Sequence, residues 1–320
     1  MNILRVLALA LLAVSFAAVA KPYPDKSRTI RVVVPFGPGS GHDIIARAYA
    51  RALNEQAGLT VIVDNRPGAE GIIGVEAAKN AAPDGYTLLL GNTSTMVLNV
   101  HMMPTVRYDP LADFTPVTGV AKFSLVVNAG PSTKFKSARE LIEAARTNPG
   151  KYTYGYGSAS TRLAMELLEH SAKVKMLSVP YKTMAQATSA LSSGEIDVLV
   201  NDVATAVPLY KAGRVRPIAA TGGKRLAALP AVPTLREQGV EDYELSGWYA
   251  WFVPVHTSPE VIATLGSMLR EAAHSKHVAD ALALNSFDPL DLDTAQLTAL
   301  NRADIERWGK QRAMNMKDGR

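Results

Sequence analysis

The sequence contains no cysteine among its 320 residues. This absence excludes disulfide bonds, thiolate nucleophiles, zinc sites with thiolate ligands and lipid attachment to an N-terminal cysteine. The sequence also lacks, after residue 20, any apolar stretch long enough to span a bilayer, which takes roughly 20 residues. The fold must therefore be stabilised by its hydrophobic core.

Clustered charge is also missing. The formal net charge is +5, but the basic side chains are scattered over different segments. Nucleic-acid binding requires a clustered basic face, usually with interleaved aromatic residues, so the sequence argues against it. A mild positive balance suits a small anionic ligand, although it is common in proteins of this size.

The sequence offers little support for catalysis. Its six histidines have no spacing with acidic residues that indicates a metal site, and no Gly-x-Ser-x-Gly elbow occurs. The loop at residues 37–41 has the glycines of a dinucleotide-binding loop, but Pro38 interrupts it and His42 replaces the third glycine. We therefore predict no catalytic residue, no metal and no cofactor.

Residues 1–20 have the features of a secretory signal peptide. Arg5 precedes an apolar run at residues 6–19, and the segment ends on the small-residue triplet at 18–20. The run is about 14 residues long, too short for a membrane span. We predict cleavage after Ala20 and a periplasmic mature protein.

Strand and helix patterns alternate along the rest of the chain. Residues 29–36 form a β-branched run typical of a buried strand, followed by an amphipathic segment at 43–56 and short strands at 61–63 and 86–90. This order predicts parallel sheets with crossover helices. Further strands are predicted at 124–128, 152–156, 176–180, 196–200, 215–221 and 248–254, and further helices at 72–81, 137–147, 161–171, 184–192, 259–284 and 294–311.

The pattern predicts two α/β lobes with mainly parallel sheets. The helical tail has no sheet of its own, so we expect it to pack on the first lobe, which makes the chain cross between lobes twice. Lobe 1 is predicted to comprise residues 21–122 plus 224–320, and lobe 2 residues 123–223. Two lobes with two crossings and a cleft are typical of a hinge-closing binding protein.

Several motifs occur in an order that resembles one known family. They cover nearly all of the mature chain and include the segments at 34–36, 39–43, 64–69, 83–88, 108–110, 179–182 and 229–234. The chain resembles the Bug-type substrate-binding proteins of tripartite tricarboxylate transporters. The resemblance implies a type II periplasmic binding-protein fold, a carboxylate ligand in the cleft and delivery to a membrane permease. It also implies that loops 36–43, 91–95 and 154–161 line the cleft.

One loop departs from the family pattern. The segment at 154–164 is about two residues shorter, and Arg162 stands where the family usually has histidine. We expect this change to alter the size and polarity of the ligand pocket.

The glycine-rich loop that ends at Asp43 permits two interpretations. If a helix begins near Ser40, its first N–H groups have no internal partner and can hold a carboxylate. The loop can equally be a plain turn in which Ser40 or Asp43 caps the helix. The family resemblance favours the first, and we expect Asp43 to face away from the ligand as a cap.

Polar residues follow other strands at the same edge of the sheets, where ligands gather in open α/β folds. Asn201 and Asp202 can contact a donor group of the ligand or simply form a turn, and Trp248 and Tyr249 can wall the cleft or belong to the core. The predicted ligand-binding residues are Phe36, Gly39, Ser40, Gly41, His42, Thr93, Ser94, Thr95, Tyr156, Ser158, Ser160, Thr161, Asn201 and Asp202.

The sequence therefore predicts a monomeric periplasmic receptor that binds a small carboxylate and presents it to a permease of the tripartite tricarboxylate type. Which carboxylate it binds stays open. Two alternatives also stay open: an exported α/β enzyme acting on a carboxylated compound, and a sensor that docks on a membrane signalling protein.

Overall fold

The computed structural model describes residues 23–317, with side chains described as far as residue 310. The predicted signal peptide lies outside the described residues. The strands are β1 Ile30–Val34, β2 Val61–Asn65, β3 Thr87–Asn92, β4 Phe114–Ser124, β5 Val126–Ala129, β6 Thr153–Tyr156, β7 Leu177–Pro180, β8 Val198–Asn201, β9 Arg216–Ala220, β10 Ser246–Pro254 and β11 Asp288–Pro289.

The helices follow the apolar periodicity of the sequence, and short turns of other helical types occur at Ala69–Gly71, Ser94–Leu98 and Arg236–Gln238. The α-helices are α1 Gly41–Ala57, α2 Ile72–Lys79, α3 Asn99–Met102, α4 Ala138–Thr147, α5 Ala159–Ala172, α6 Met184–Ser193, α7 Val203–Lys211, α8 Pro259–Ala273, α9 Lys276–Leu284 and α10 Thr294–Lys317.

Two sheets form the centres of two lobes. The first sheet has six strands in the order β11-β4-β10-β3-β1-β2, and the second has five in the order β7-β6-β8-β5-β9. Both sheets are mixed, which corrects the expectation of mainly parallel sheets. In the first, β1 pairs parallel with β2 and β3, whereas β10 runs antiparallel to β3 and β4. In the second, β6 pairs parallel with β7 and β8, whereas β5 runs antiparallel to β8 and β9.

The chain crosses between the two lobes twice. β4 belongs to the first sheet and β5 to the second, so the chain passes between lobes at Leu125. It returns between β9 and β10. The C-terminal segment packs back on the first lobe, as expected: β11 joins β4, α8 contacts α1 and β4, and α10 contacts β4.

The crossing segments are held together by Thr221, which is fully buried. Its Oγ1 accepts the Leu125 N–H at 2.8 Å and donates to the Leu245 carbonyl at 2.9 Å. Its backbone adds a bond to each of the same two residues. One side chain therefore joins the outgoing and the returning strand at the boundary between the lobes.

Candidate functional site

A cavity of about 520 Å³ lies between the two lobes; we call it the cleft cavity. Its walls contain most of the residues predicted to bind ligand. Those in its lining are Phe36, Gly39, Ser40, His42, Ser158, Ser160, Thr161, Asn201 and Asp202.

Four helices begin at the cleft cavity. Their N-cap residues, Ser40, Ser158, Thr183 and Asp202, all line it, and each cap side chain accepts the N–H group three residues further on. The first N–H groups of these helices have no intrahelical partner and carry the positive end of the helix dipole. Their convergence makes the cavity favourable for an anion.

Asp43 does not cap α1, because Ser40 does. Its carboxylate accepts the Gly39 N–H at 3.0 Å and pairs with Arg47 at 3.0 Å. Burial alone raises the pKa of Asp43, but Arg47 and the Gly39 N–H outweigh it and hold the pKa below its ordinary value. The expectation that Asp43 faces away from the ligand agrees with its absence from the cavity lining.

The loop at the start of α1 has fewer free donors than its sequence indicates. The Gly39 N–H is held by Asp43, the Ser40 N–H bonds to the Gly37 carbonyl, and the Gly41 N–H donates to Asp202 Oδ2 at 3.1 Å. The last of these bonds crosses the cleft. Asp202 therefore occupies part of the position predicted for the carboxylate of a ligand, and Gly41 does not line the cavity.

Thr93, Ser94 and Thr95 are fully or almost fully buried and do not line the cavity either. Thr95 exchanges hydrogen bonds with Asn92, which does line it. Thr93 Oγ1 accepts the Trp248 N–H, and Ser94 Oγ accepts the Ser160 N–H from the other lobe. These hydroxyls hold the end of β3 and one contact between the lobes.

Tyr156 and Arg162 also lie outside the lining of the cleft cavity. The Arg162 guanidinium lies 5.5 Å from the centre of the Tyr156 ring and pairs with Glu166 at 2.7 Å. The expectation that Arg162 changes the polarity of the ligand pocket is therefore wrong for this cavity. Arg162 instead lines a second cavity on the other side of α5.

Three residues that line the cleft cavity each carry a buried polar atom without a hydrogen-bond partner among the described residues: His42 Nε2, Ser160 Oγ and Asn201 Nδ2. Their residues are between 2% and 6% exposed. Asn201 is oriented by Asn128, whose Nδ2 donates to Asn201 Oδ1 at 2.8 Å. A buried polar atom without a partner costs about 1–3 kcal/mol, so each of the three favours a ligand that supplies the partner.

His42 lies between two aromatic rings, tilted against Phe36 and edge-on to Tyr249. Its ring centre lies 4.5 Å from that of Phe36 and 4.6 Å from that of Tyr249. Burial lowers the pKa of His42 to about 3, and the Asn92 side chain opposes this only in part. The imidazole is therefore neutral at physiological pH.

The structure also brings in residues that the sequence reasoning missed. Lys182, Thr183 and Met184 follow β7 and line the cavity, as do Phe123 and Leu125 at the first crossing. The strand-end rule that identified Asn201 applies equally to β7 and would have found Lys182. Tyr249, for which two roles were open, both lines the cavity and belongs to the core. Trp248 belongs to the core, where its Nε1 donates to Asp304.

Comparison with known proteins identifies the family to which the chain belongs. The model of the tripartite tricarboxylate transporter family receptors, TctC, matches residues 45–314. The chain belongs to this receptor family. TctC proteins are periplasmic solute-binding receptors, so the chain is a receptor rather than an enzyme.

Relatives of this TctC receptor extend over nearly the whole chain. Protein BugT of Bordetella pertussis (strain Tohama I) is 32% identical over 316 residues, which cover 96% of each chain. The resemblance to Bug proteins is thus confirmed. Among the described residues, no helix is long and apolar enough to cross a membrane.

Solved structures of similar proteins confirm the fold of the TctC receptor. Rpa4515 of R. palustris, solved with adipate, has a TM-score of 0.85 and 30% identity, with 90% of this chain and 96% of that chain covered. MatC (Rpa3494) of Rhodopseudomonas palustris, solved with bound malate, has a TM-score of 0.81 and 26% identity, with 88% and 98% covered.

Proposed function

We propose that this receptor binds a small organic acid through its carboxylate in the cleft cavity. The observation that carries the proposal is the combination of unpartnered buried donors with helix N-termini. Ser160 Oγ and Asn201 Nδ2 can each donate to a carboxylate oxygen, as can His42 Nε2 in the tautomer that protonates it.

The charges around the cleft cavity support the proposal. Among the described residues of its lining, Lys182 and Asp202 carry the formal charges. Lys182 is exposed at the rim, whereas both carboxylate oxygens of Asp202 already accept backbone N–H groups. The carboxylate of a ligand therefore meets mainly neutral donors, and hydrogen bonds to a charged group contribute about 1.5–3 kcal/mol each.

The apolar part of the cavity accommodates the body of the ligand. Phe36, Phe123, Leu125 and Tyr249 contribute buried side chains to the lining. Adipate and malate, found in two of the similar structures, are small carboxylates of this general kind. We propose that the residues contacting the ligand are those of the predicted set that line the cavity, together with Asn92 and Lys182.

We further propose that the receptor works in the periplasm after removal of residues 1–20, as a monomer, and that it delivers its ligand to a permease of the tripartite tricarboxylate type. The family supports this role. We also propose the division into lobe 1, residues 21–122 plus 224–320, and lobe 2, residues 123–223. Mass spectrometry of the exported protein tests the cleavage, with Lys21 as the expected first residue.

Mass spectrometry of small molecules released from the denatured, freshly purified protein tests the proposed ligand. We expect an organic acid in stoichiometric amount, or an empty protein that takes up such an acid from a mixture. Release of a compound without an acidic group would contradict the proposal. Chemical conversion of the acid by the purified protein would contradict its role as a receptor.

A further inference from the structure

A second cavity, of about 770 Å³, lies beside α5, and we call it the flank cavity. Its walls come from both lobes. The first lobe contributes Leu98, Met102 and Trp308, and the second contributes residues of α4, α5 and the segment that leads into β7. Among the residues that the structure describes, none lines both the flank cavity and the cleft cavity.

The flank cavity has an apolar inner wall. Its buried apolar members include Leu98, Met102, Leu163, Val174, Met176 and Trp308. Burying an apolar group against such a wall removes apolar surface from water, which is favourable. The inner wall therefore suits the hydrocarbon body of a ligand.

Trp308 supplies an independent indication of a ligand. The residue is 6% exposed, and its Nε1 has no hydrogen-bond partner among the described residues. The indole N–H can only donate, and leaving it unpaired in a buried position is unfavourable. By contrast, Trp248 Nε1 donates to Asp304 at 2.8 Å. A ligand that offers an acceptor would satisfy the Trp308 N–H.

The charges of the flank cavity favour an anion. Its lining contains the cations Arg146, Arg162, Lys173 and Lys175 and the acids Glu166 and Glu169. Glu166 pairs with Arg162 at 2.7 Å. Glu169 accepts the Met176 N–H and the Tyr154 hydroxyl. The acids are thus engaged, whereas Lys173 and Lys175 are exposed and form no ion pair with a described residue.

We propose that the flank cavity is a second ligand site, which binds a small free anion with an apolar body, such as a carboxylate on an aliphatic chain. The head of the ligand lies among the lysines, its body packs on the apolar wall, and one of its oxygen atoms accepts a hydrogen bond from the Trp308 indole N–H. The departure from the family pattern at Arg162 then belongs to this site rather than to the cleft cavity.

The indole N–H resonance of Trp308 in the ¹⁵N-labelled mature protein tests this proposal, with Trp308→Phe to assign it. The probes are octanoate, octan-1-ol, which lacks the charge, and acetate, which lacks the apolar body. We expect octanoate to shift the Trp308 resonance in a saturable manner, at concentrations at least about tenfold below those needed for either control, which corresponds to about 1.4 kcal/mol.

Charge variants locate the octanoate. We expect the double variant Lys173→Gln, Lys175→Gln to weaken the effect on Trp308 by at least about fivefold, since each exposed charge near an anion changes its affinity by up to about fivefold. The matched control is the double variant Lys134→Gln, Lys136→Gln, which removes two exposed lysines that line neither cavity and should leave the Trp308 titration unchanged. A Trp308 resonance that octanoate does not move would overturn the proposal. Equal effects of octanoate and octan-1-ol, or equal titrations of the Lys173→Gln, Lys175→Gln variant and the native chain, would also overturn it.

Discussion

Ser160, His42 and Asn201 are the residues on which the account of the cleft cavity rests. Each is buried, and each has one polar atom without a described partner. Such atoms reduce the stability of the empty protein and strengthen the binding of a ligand that pairs with them. Stability and affinity should therefore respond in opposite directions when one of these groups is removed.

Replacement of Ser160 by alanine separates the two effects. We expect Ser160→Ala to weaken binding of the cleft ligand by about 1–3 kcal/mol, or roughly 5- to 150-fold, because a carboxylate oxygen loses its donor. The melting temperature without ligand should stay the same or rise. Titration calorimetry and calorimetric melting measure the two quantities. The control Ser189→Ala, at an exposed position of α6, should change neither. A loss of stability with unchanged affinity would remove Ser160 from the site.

His42 should make the stability depend on pH in acid. Its pKa is about 3 in the folded protein against an ordinary value of 6.5, so the fold favours the neutral ring. The contribution of His42 to the free energy of unfolding is complete above pH 6.5. It decreases as the pH falls toward 3, by about 1.4 kcal/mol per pH unit. We expect His42→Gln to flatten the fall in unfolding free energy between pH 6.5 and 4. The exposed His274→Gln should keep the native slope; equal slopes in all three proteins would contradict this explanation.

At the scale of elements, the start of α1 depends on the absence of a side chain at Gly41. A Cβ atom at this position would lie 2.7 Å from the Tyr249 hydroxyl and 2.9 Å from Phe287 Cζ, whereas at Gly37 it would meet nothing within 4 Å. The glycine therefore permits the start of α1 to approach the aromatic wall of the cleft. The same close approach brings the Gly41 N–H to Asp202 of the other lobe.

We expect Gly41→Ala to destabilise the protein by about 1–3 kcal/mol, the range for overpacking of a close-packed site. It should also weaken ligand binding, because the N-terminus of α1 must move. Gly37→Ala is the matched control for stability, which should equal that of the native chain; Gly37 lines the cleft cavity, so its affinity is not part of the control. Chemical denaturation and titration calorimetry measure both. A Gly41→Ala protein as stable as Gly37→Ala would contradict the close approach.

Elements with a regular pattern could be predicted from the sequence, and irregular ones could not. The alternation of strands and helices placed β1, α1 and α5 within about two residues. The long strand β4 was missed because it contains Pro116 and Gly119, which are unfavourable in strands. The helix α7 was missed because Pro208 lies inside it.

The candidate site, too, could be predicted from the sequence only in part. The strand-end rule and the family resemblance led to loops that do reach the cleft. They could not tell which way each hydroxyl points, because that depends on partners distant in the chain. Ser94 is held by Ser160 of the other lobe, Thr93 by Trp248, and Gly41 by Asp202. No local pattern contains these contacts.

At the scale of the whole molecule, hydrogen bonds join the two lobes both at the crossings and across the cleft. Thr221 joins both crossing segments, and the Gly41–Asp202 and Ser160–Ser94 hydrogen bonds connect the lobes across the cleft. A receptor that opens to admit its ligand must break the cross-cleft bonds, whereas the bonds of Thr221 can be kept.

We expect Thr221→Val to lower the unfolding free energy by about 1–3 kcal/mol, because the buried Leu125 N–H and Leu245 carbonyl each lose a partner. Thr221→Ser keeps the hydroxyl and should lose less than half as much. Urea denaturation followed by circular dichroism measures the difference. Equal losses in the two variants would show that the methyl group contributes as much as the hydroxyl, and a smaller loss in Thr221→Val than in Thr221→Ser would contradict the role given to the hydroxyl.

The central claim is that neutral donors and helix N-termini in the cleft cavity hold a carboxylate. Titration calorimetry of the mature protein, unfolded and refolded to remove any bound compound, tests it most directly against a panel of mono-, di- and tricarboxylates. We expect at least one acid to bind with one-to-one stoichiometry, and its uncharged amide to bind at least about tenfold more weakly, a difference of about 1.4 kcal/mol. Failure of every acid to bind, or equal binding of the acid and its amide, would contradict the claim.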